Sequence, residues 1–394
     1  MIQESCLICK KFLNEGGRVS LLGNSKFFRK NLHLEKKLRI VRERETFRER
    51  ILMAATIKDI AKKLNISVST VSYALNDGPR PVPALVKQQV LETAKELNYR
   101  PNRLAKSMVT GRSNTIGIVP PVVSENAFLS PYLQLALNGI VNKAAELHQD
   151  ILLYTRYNLS DHEDFLSALV DGRVDGILFI APQMDQATIE LATSLHLPCV
   201  SVSGVPVKGV LSYSSANSAG IRQAMDHLWE LGHRKIGHLA GRLDMQDAIV
   251  RLQAYQDFLK DKGMAYREDW VGMGQFVIEG GYEATKRILA MGDRPTALLC
   301  ANDEMAVGAL RAGHEAGLKL PDDLSVVGFD GSPSAIHVYP TLTTVRQPIG
   351  EMGQAAMSAL FDLIEGRDAG ENKVFETELI VRGSTCPMEN KNES

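Results

Sequence analysis

Long hydrophobic runs are missing from this chain. No apolar stretch approaches the ~20 residues that a membrane span needs, because charges interrupt every candidate. The N-terminus also lacks the layout of a secretory signal, its apolar patches being broken by Lys and Arg. Cysteine is sparse: Cys6, Cys9, Cys199, Cys300 and Cys386 are the five in 394 residues. Only Cys6 and Cys9 are close, and one CxxC without a second Cys or His pair is weak ground for zinc or redox chemistry. Scattered thiols suit a reducing compartment, so a cytoplasmic location is expected. The nine histidines are isolated, with no pair at metal-ligand spacing. Neither a phosphate-cradling P-loop nor a G-x-S-x-G turn occurs. These absences argue against an exported binding protein. They also leave an enzyme on a flavodoxin-like body without a nucleophile or base cluster. No metal or cofactor is expected.

A chain of 394 residues has room for two or three domains of about 100–200 residues each. The net charge of −1 conceals an asymmetry. Residues 1–52 carry 13 Lys and Arg against 6 Asp and Glu, and residues 53–112 carry 10 against 4, so the remainder stands at −14. A basic front on an acidic body suits a nucleic-acid-binding head on a separate core, although a solvated basic face would give the same count. Residues 1–52 show no motif, and Met53 stands just before the first clear one. The expectation is that 1–52 is either a translated upstream stretch, with Met53 the true start, or a basic arm adding phosphate contacts.

Thr56–Asn76 reads as two short helices around a tight turn. Thr56 and Asp59 have capping-box spacing. Ile57, Ile60, Ala61 and Leu64 recur at i, i+3, i+4 and i+7, one apolar face. Asn65-Ile66-Ser67 makes the turn, and Ser67 can cap the second helix. There Val71, Ala74 and Leu75 share one arc, while Val68, Ser69, Ser72, Tyr73 and Asn76 share the opposite one. A third helix is expected near Pro83–Leu97, with Val86, Val90, Ala94 and Leu97 inward. This is the plan of a helix-turn-helix that lays its second helix in the DNA major groove.

Pro101 then breaks the third helix, Asn102 can cap a new short one, and Gly111 ends it. The short helix would present Leu104, Ala105 and Met108 beside Arg103 and Lys106. An apolar-and-basic helix suits the minor groove, where an apolar wedge kinks the duplex. The same residues suit a plain interdomain linker.

From Thr115 onward apolar strands alternate with amphipathic helices. Candidate strands are Thr115–Val119, Ile151–Thr155, Gly176–Ala181, Cys199–Ser203, Lys235–Ala240, Ala297–Ala301 and Ser325–Phe329. Such alternation builds doubly wound parallel sheets with ligands at the carboxyl ends of the strands. There are too many strands for one ordinary sheet, so two lobes with a cleft are expected. Asp303 opens a helix directly after a strand, where capping alone would explain it as readily as ligand binding. Phe128 suits either a sugar face or core packing.

Thr56–Asn76, Tyr99-Arg100-Pro101-Asn102, the Asn302-Asp303 helix start and the Pro321–Asp330 run together resemble the LacI/GalR family of bacterial transcriptional regulators, over about residues 55–383. The resemblance implies an all-α helix-turn-helix head plus an α/β core, its two doubly wound parallel-sheet lobes resembling periplasmic sugar-binding proteins. The expected boundaries are a basic extension (1–52), the head (53–101), a hinge helix and linker (102–114), a first lobe (115–215 with 346–374) and a second lobe and tail (216–345 with 375–394).

It implies base reading by Val68, Ser69 and Tyr73. Thr56, Ser67, Thr70, Ser72, Asn76 and Asn102 stand at phosphate-contact positions, and Leu104, Ala105 and Met108 at the minor-groove hinge. Phe128, Arg251, Asp303 and Gln347 stand at effector positions, Asp303 matching an acid that binds hydroxyls. The implied function is a repressor of carbohydrate-utilisation genes. The implied partners are double-stranded, near-palindromic operator DNA, a small-molecule effector of the sugar class and a second copy of the chain. No heptads follow Arg382, so a dimer rather than a coiled-coil tetramer is expected.

The chain departs from the family pattern in several places. Tyr73 replaces a frequent Arg, Met108 a frequent Leu, Asn65 the usual turn Gly and Pro83 a common Ser cap. In the body, Ser203-Gly204 stands for Asp-Arg and Ala254 for Gly. The Ser203 change removes one ligand contact, so the effector's identity cannot be carried over from a relative.

Overall fold

The computed structural model describes residues 55–76, 80–100, 107, 111–121, 130–155, 167–182, 194, 197–204 and 207–388. The chain divides into two compact units, with the boundary between Asn102 and Arg103.

The described part of the first unit is three helices: α1 (Ile57–Leu64), α2 (Val68–Asn76) and α3 (Ala84–Glu96). The Asp59 carboxylate accepts from both the N–H and the hydroxyl of Thr56, each at 2.7 Å. These bonds hold the Asp59 carboxyl below its ordinary pKa and fix the start of α1. Asn65 closes α1 in the left-handed region (φ 51°, ψ 44°), a conformation Asn tolerates where the family pattern has Gly. Ser67 Oγ accepts from the Thr70 N–H at 3.0 Å and caps α2. Ile60, Ala61, Val71, Ala74, Val90 and Ala94 form the buried core of the unit.

The second unit holds two six-stranded sheets. The first runs β11-β5-β4-β3-β1-β2, from β1 (Thr115–Val119), β2 (Asp150–Leu153), β3 (Gly176–Ile180), β4 (Cys199–Val202), β5 (Leu211–Ser215) and β11 (Lys373–Phe375). All its pairings are parallel. Helices α4 (Pro131–Glu146) and α9 (Ile349–Ile364) pack on one face. The second sheet runs β12-β10-β9-β8-β6-β7, from β6 (Ile236–Ala240), β7 (Val271–Met273), β8 (Ala297–Cys300), β9 (Ser325–Asp330), β10 (Thr343–Arg346) and β12 (Glu378–Ile380). Only β12 is antiparallel, against β10. Helices α5 (Asn217–Glu230) and α6 (Gln246–Asp261) cover one face. Helices α7 (Ile278–Leu289) and α8 (Asp303–Glu315) cover the other.

The chain passes between the lobes after β5, after β10 and after β11, so the carboxyl ends of both sheets meet one cleft. Each of the seven expected strands is present, and five more join them. The additional ones are short edges (β7, β11, β12) or polar strands. Ser212 in β5 donates to the Gly204 carbonyl at 2.7 Å, and the buried Thr343 and Thr344 lie in β10. Apolar patterning does not reveal strands whose side chains are satisfied by hydrogen bonds. Among the described residues no helix is long and apolar enough to cross a membrane.

His238 in β6 is fully buried and stacked on Tyr255, ring centroids 5.0 Å apart. Burial pushes its imidazole down to about 4. In the unfolded chain it titrates near 6.5, so as pH falls the unfolded state takes the proton first. The stability linked to this group is whole above about pH 6.5 and declines towards pH 4, by about 3 kcal/mol in all. The stability of His238→Phe relative to the parent should therefore rise, by up to about 3 kcal/mol, as the pH is lowered across that range. Parallel pH–stability curves would refute the assignment.

Candidate functional site

The first unit offers the outward face of α2. Val71 and Ala74 anchor the helix inward, and Val68 at its start is 42 % exposed, unusual for a valine with a core to join. Ser69 is exposed and Tyr73 half-buried on the same helix. Of the phosphate-contact positions, Thr56 and Ser67 are exposed at the starts of α1 and α2, while Thr70, Ser72 and Asn76 are half-buried. Ser67 Oγ also lies 2.8 Å from both Ser69 Oγ and Thr70 Oγ1. The Asn76 amide donates to the Ser72 carbonyl of its own helix. Asn102, Leu104, Ala105 and Met108 lie outside the described residues, as does Phe128 of the effector set.

The second unit has its cavity at the strand ends. The empty space there, open solvent at the mouth included, is about 540 Å³, and it lies among Tyr132, Ser203, Asp247, Arg251, Asn302 and Asp330, with Met245 and Phe276 as apolar walls. Arg251 is 2 % exposed. Its guanidinium lies on the Phe329 ring, 3.9 Å from the centroid, and donates to Asn217 Oδ1 at 2.7 Å and to the Ala301 carbonyl at 2.5 Å. Two carboxylates flank it at longer range, Asp247 at 3.5 Å and Asp330 at 3.8 Å. Burial raises the pKa of both acids, against the lowering pull of Arg251.

Asp247 and Arg251 stand four residues apart on α6, hence on one helix face. Asp330 is the last residue of β9, at φ +123°. Ala181 (+42°), Ser203 (+56°) and Phe276 (+62°) also line the cavity in conformations that L-residues rarely hold. Backbone strain of this kind persists only where surrounding structure enforces it, and it gathers at ligand sites. The Phe276 ring lies over Gly241, where an added Cβ would stand 2.1 Å from it.

Two expected effector residues are placed elsewhere. Asp303 is fully buried and does not line the cavity. Its carboxylate accepts from the Ser332 N–H at 2.6 Å and from Thr344 Oγ1 at 2.5 Å, one bond to each oxygen. Burial lifts it to about 6 in spite of those bonds. Its neighbour Asn302 reaches the cavity and also caps α8, accepting from the Met305 N–H. Gln347 is also buried behind the lining. It donates to Asp330 Oδ1 at 2.6 Å and accepts from Ser215 at 2.5 Å, so it holds Asp330 where the chain passes between lobes. Asp247, Asn302, Asp330, Tyr132 and Phe276 were missed as cavity residues. Only Asp247, by its i, i+4 relation to Arg251, and Asp330, by its place at a strand end, carried a signal.

The first unit is thus a helix-turn-helix and the second a two-lobed core with a cavity in its cleft, and the chain is similar to known proteins over most of its length. Residues 56–102 match the model for bacterial regulatory proteins of the lacI family, and residues 225–385 match a periplasmic binding protein-like domain. The "HTH-type transcriptional repressor PurR" of Mannheimia succiniciproducens is 34% identical over 334 residues, covering 84% of this chain and 98% of that protein. This chain belongs to the lacI family of bacterial regulators. PurR of Photobacterium profundum is 33% identical with the same coverage. Among solved structures, the transcriptional regulator CelR in complex with cellobiose is 31% identical with a TM-score of 0.65, over 84% of this chain and 99% of that one. The lac repressor dimer bound to operator and the anti-inducer ONPF is 27% identical with a TM-score of 0.73, with the same coverage. As a lacI-family member, the protein is a DNA-binding transcriptional repressor with an effector-binding core. Its relatives are regulators rather than enzymes.

Proposed function

We propose that this lacI-family protein represses carbohydrate-utilisation genes by binding a near-palindromic operator as a homodimer, in the cytoplasm, under the control of a sugar held in the interlobe cavity. The observation that carries the effector reading is the buried Arg251 between Asp247 and Asp330, a forked donor between two acceptors in the cleft at the carboxyl end of the second sheet. Such a set suits a polyol. CelR, with its bound cellobiose, supports the same class. A sugar that favours one setting of the lobes shifts operator affinity, and the operator must shift sugar affinity by the same factor. A homodimer presents two copies of α2 to two half-sites, with Val68, Ser69 and Tyr73 towards the bases. Thr56, Ser67, Thr70, Ser72, Asn76 and Asn102 take the phosphates, and Leu104, Ala105 and Met108 the minor groove.

A thermal-shift screen of mono- and disaccharides, with purine bases as the rival class, tests the effector reading. A planar base is the rival because Phe276 and Tyr132 wall the cavity. A base that binds where no sugar does would overturn the sugar reading. For the head, Tyr73→Ala should change the preferred operator base more than the affinity for random DNA. Equal loss on all sequences would remove Tyr73 from the base readers.

A further inference from the structure

Part of the cavity's donor capacity is spent within the protein, two of the five N–H groups of Arg251 included. The Tyr132 hydroxyl donates to Ser203 at 2.6 Å. The Asn302 amide donates to the Phe276 carbonyl at 3.2 Å, and Arg251 holds Asn217 and the Ala301 carbonyl. The acceptors are less committed. Asp247 Oδ1 takes one bond from Asn217 at 2.9 Å and Asp330 Oδ1 one from Gln347, whereas an ionised carboxylate can accept about four.

Charge points the same way. Among the described lining residues Arg251 is the one cation, facing two carboxyls, with Asp303 buried behind them. Among these described residues the positive charge does not exceed one, and Asp247 and Asp330 flank it. An anionic group entering here would meet a carboxylate with no free cation to pair it, and like charges juxtaposed at a desolvated site are strongly disfavoured.

Asp247 decides this. Asp330 is 4 % exposed, wedged at a strand end under Gln347, whereas the Asp247 side chain is 14 % exposed at the first turn of α6. Asp247 is thus the carboxylate more open to an incoming group.

We propose that the cavity accepts a hydroxyl-rich effector carrying no negative charge, and that Asp247 is the specificity residue that rejects phosphorylated and carboxylated sugars. The proposal rests on the sugar reading above. Titration calorimetry of the full chain with matched sets tests it: glucose, glucosamine, glucose 6-phosphate and glucuronate, and the same set built on galactose and on cellobiose. The parent or aminated sugar should bind at least about tenfold more tightly than its phosphate or acid. Asp247→Asn should shrink that gap to about threefold or less by strengthening the anionic partner. Asp247→Glu should keep it. Asp247→Ser, which removes the charge with a smaller side chain, gives the same reading if the amide variant unfolds. Anionic sugars binding as well as their parents, or a gap unchanged in both Asp247→Asn and Asp247→Ser, would overturn the assignment while leaving a sugar effector in place. Failure of every member of every set would instead remove the sugar reading, and this inference with it.

Discussion

Replacing Arg251 by methionine should abolish effector binding and lower the stability of the core by about 3–5 kcal/mol, roughly 10 °C in Tm. Methionine nearly fills the volume, so the loss is not mainly a cavity. It comes from what the guanidinium leaves behind. Asp247 and Asp330 are flanked by this one cation, and removing it strands two buried acids, of which at least one must then take a proton. The Ala301 carbonyl and Asn217 Oδ1 lose their donor as well, and a buried acceptor without a partner costs about 1–3 kcal/mol. The cation over Phe329 adds up to about 2 kcal/mol in a desolvated setting. These contributions overlap and do not add. Arg251→Lys keeps the charge but loses the fork, so it should retain most of the stability and little of the binding. Chemical unfolding and calorimetry on both variants separate the two effects. A methionine variant with parental stability would show that the acids do not depend on Arg251.

This cluster also marks how far the sequence could be read. Arg251 was legible only through the family resemblance, since a helix arginine by itself reads as solvated. Its true counterpart was not. The sequence offers an acid after each of two neighbouring strands, Asp303 following β8 and Asp330 ending β9, and it was the family resemblance that put Asp303 first, since capping explained its place as well as ligand binding did. Packing reverses the ranking. Gly328 leaves room for the Asp303 carboxylate, since an added Cβ there would stand 2.3 Å from its Oδ1, and Ser332 and Thr344 hold it inward. Asp330 takes the cavity because its backbone at φ +123° turns the side chain out of the sheet direction. Phe276 was illegible for a related reason: two successive left-handed residues, Gln275 and Phe276, aim the ring, and no periodicity encodes that. The head was read more fully. Its caps, its turn at Asn65 and its buried faces are all set within a few residues along the chain.

Gly308→Val should be as damaging as loss of Arg251 although Gly308 touches no cavity residue. Helices α7 and α8 meet backbone to backbone. A Cβ on Gly308 would stand 2.1 Å from the Ile278 carbonyl oxygen and 2.6 Å from the Tyr282 nitrogen, and one on Gly281 would stand 2.3 Å from the Met305 carbonyl oxygen. Backbone cannot rotate aside as a side-chain tip can, so the helices must separate by an ångström or more. Separation exposes the apolar layer of Ala284, Ala306 and Ala309 between them, and overpacking at such a site costs at least about 3 kcal/mol. The effect then reaches the ligand. Helix α8 begins at Asn302 and α7 follows the Phe276 turn, both of them lining the cavity, so parting the pair displaces one wall relative to the other. Gly308→Val should therefore lose effector affinity together with thermal stability, with Gly308→Ala intermediate. Gly292→Ala supplies the control, because nothing lies within 4 Å of its added Cβ. Parental Tm in Gly308→Val would mean that the two helices are not in backbone contact. Reduced Tm with unchanged effector affinity would mean that the cavity walls are held by something other than the seating of α7 on α8.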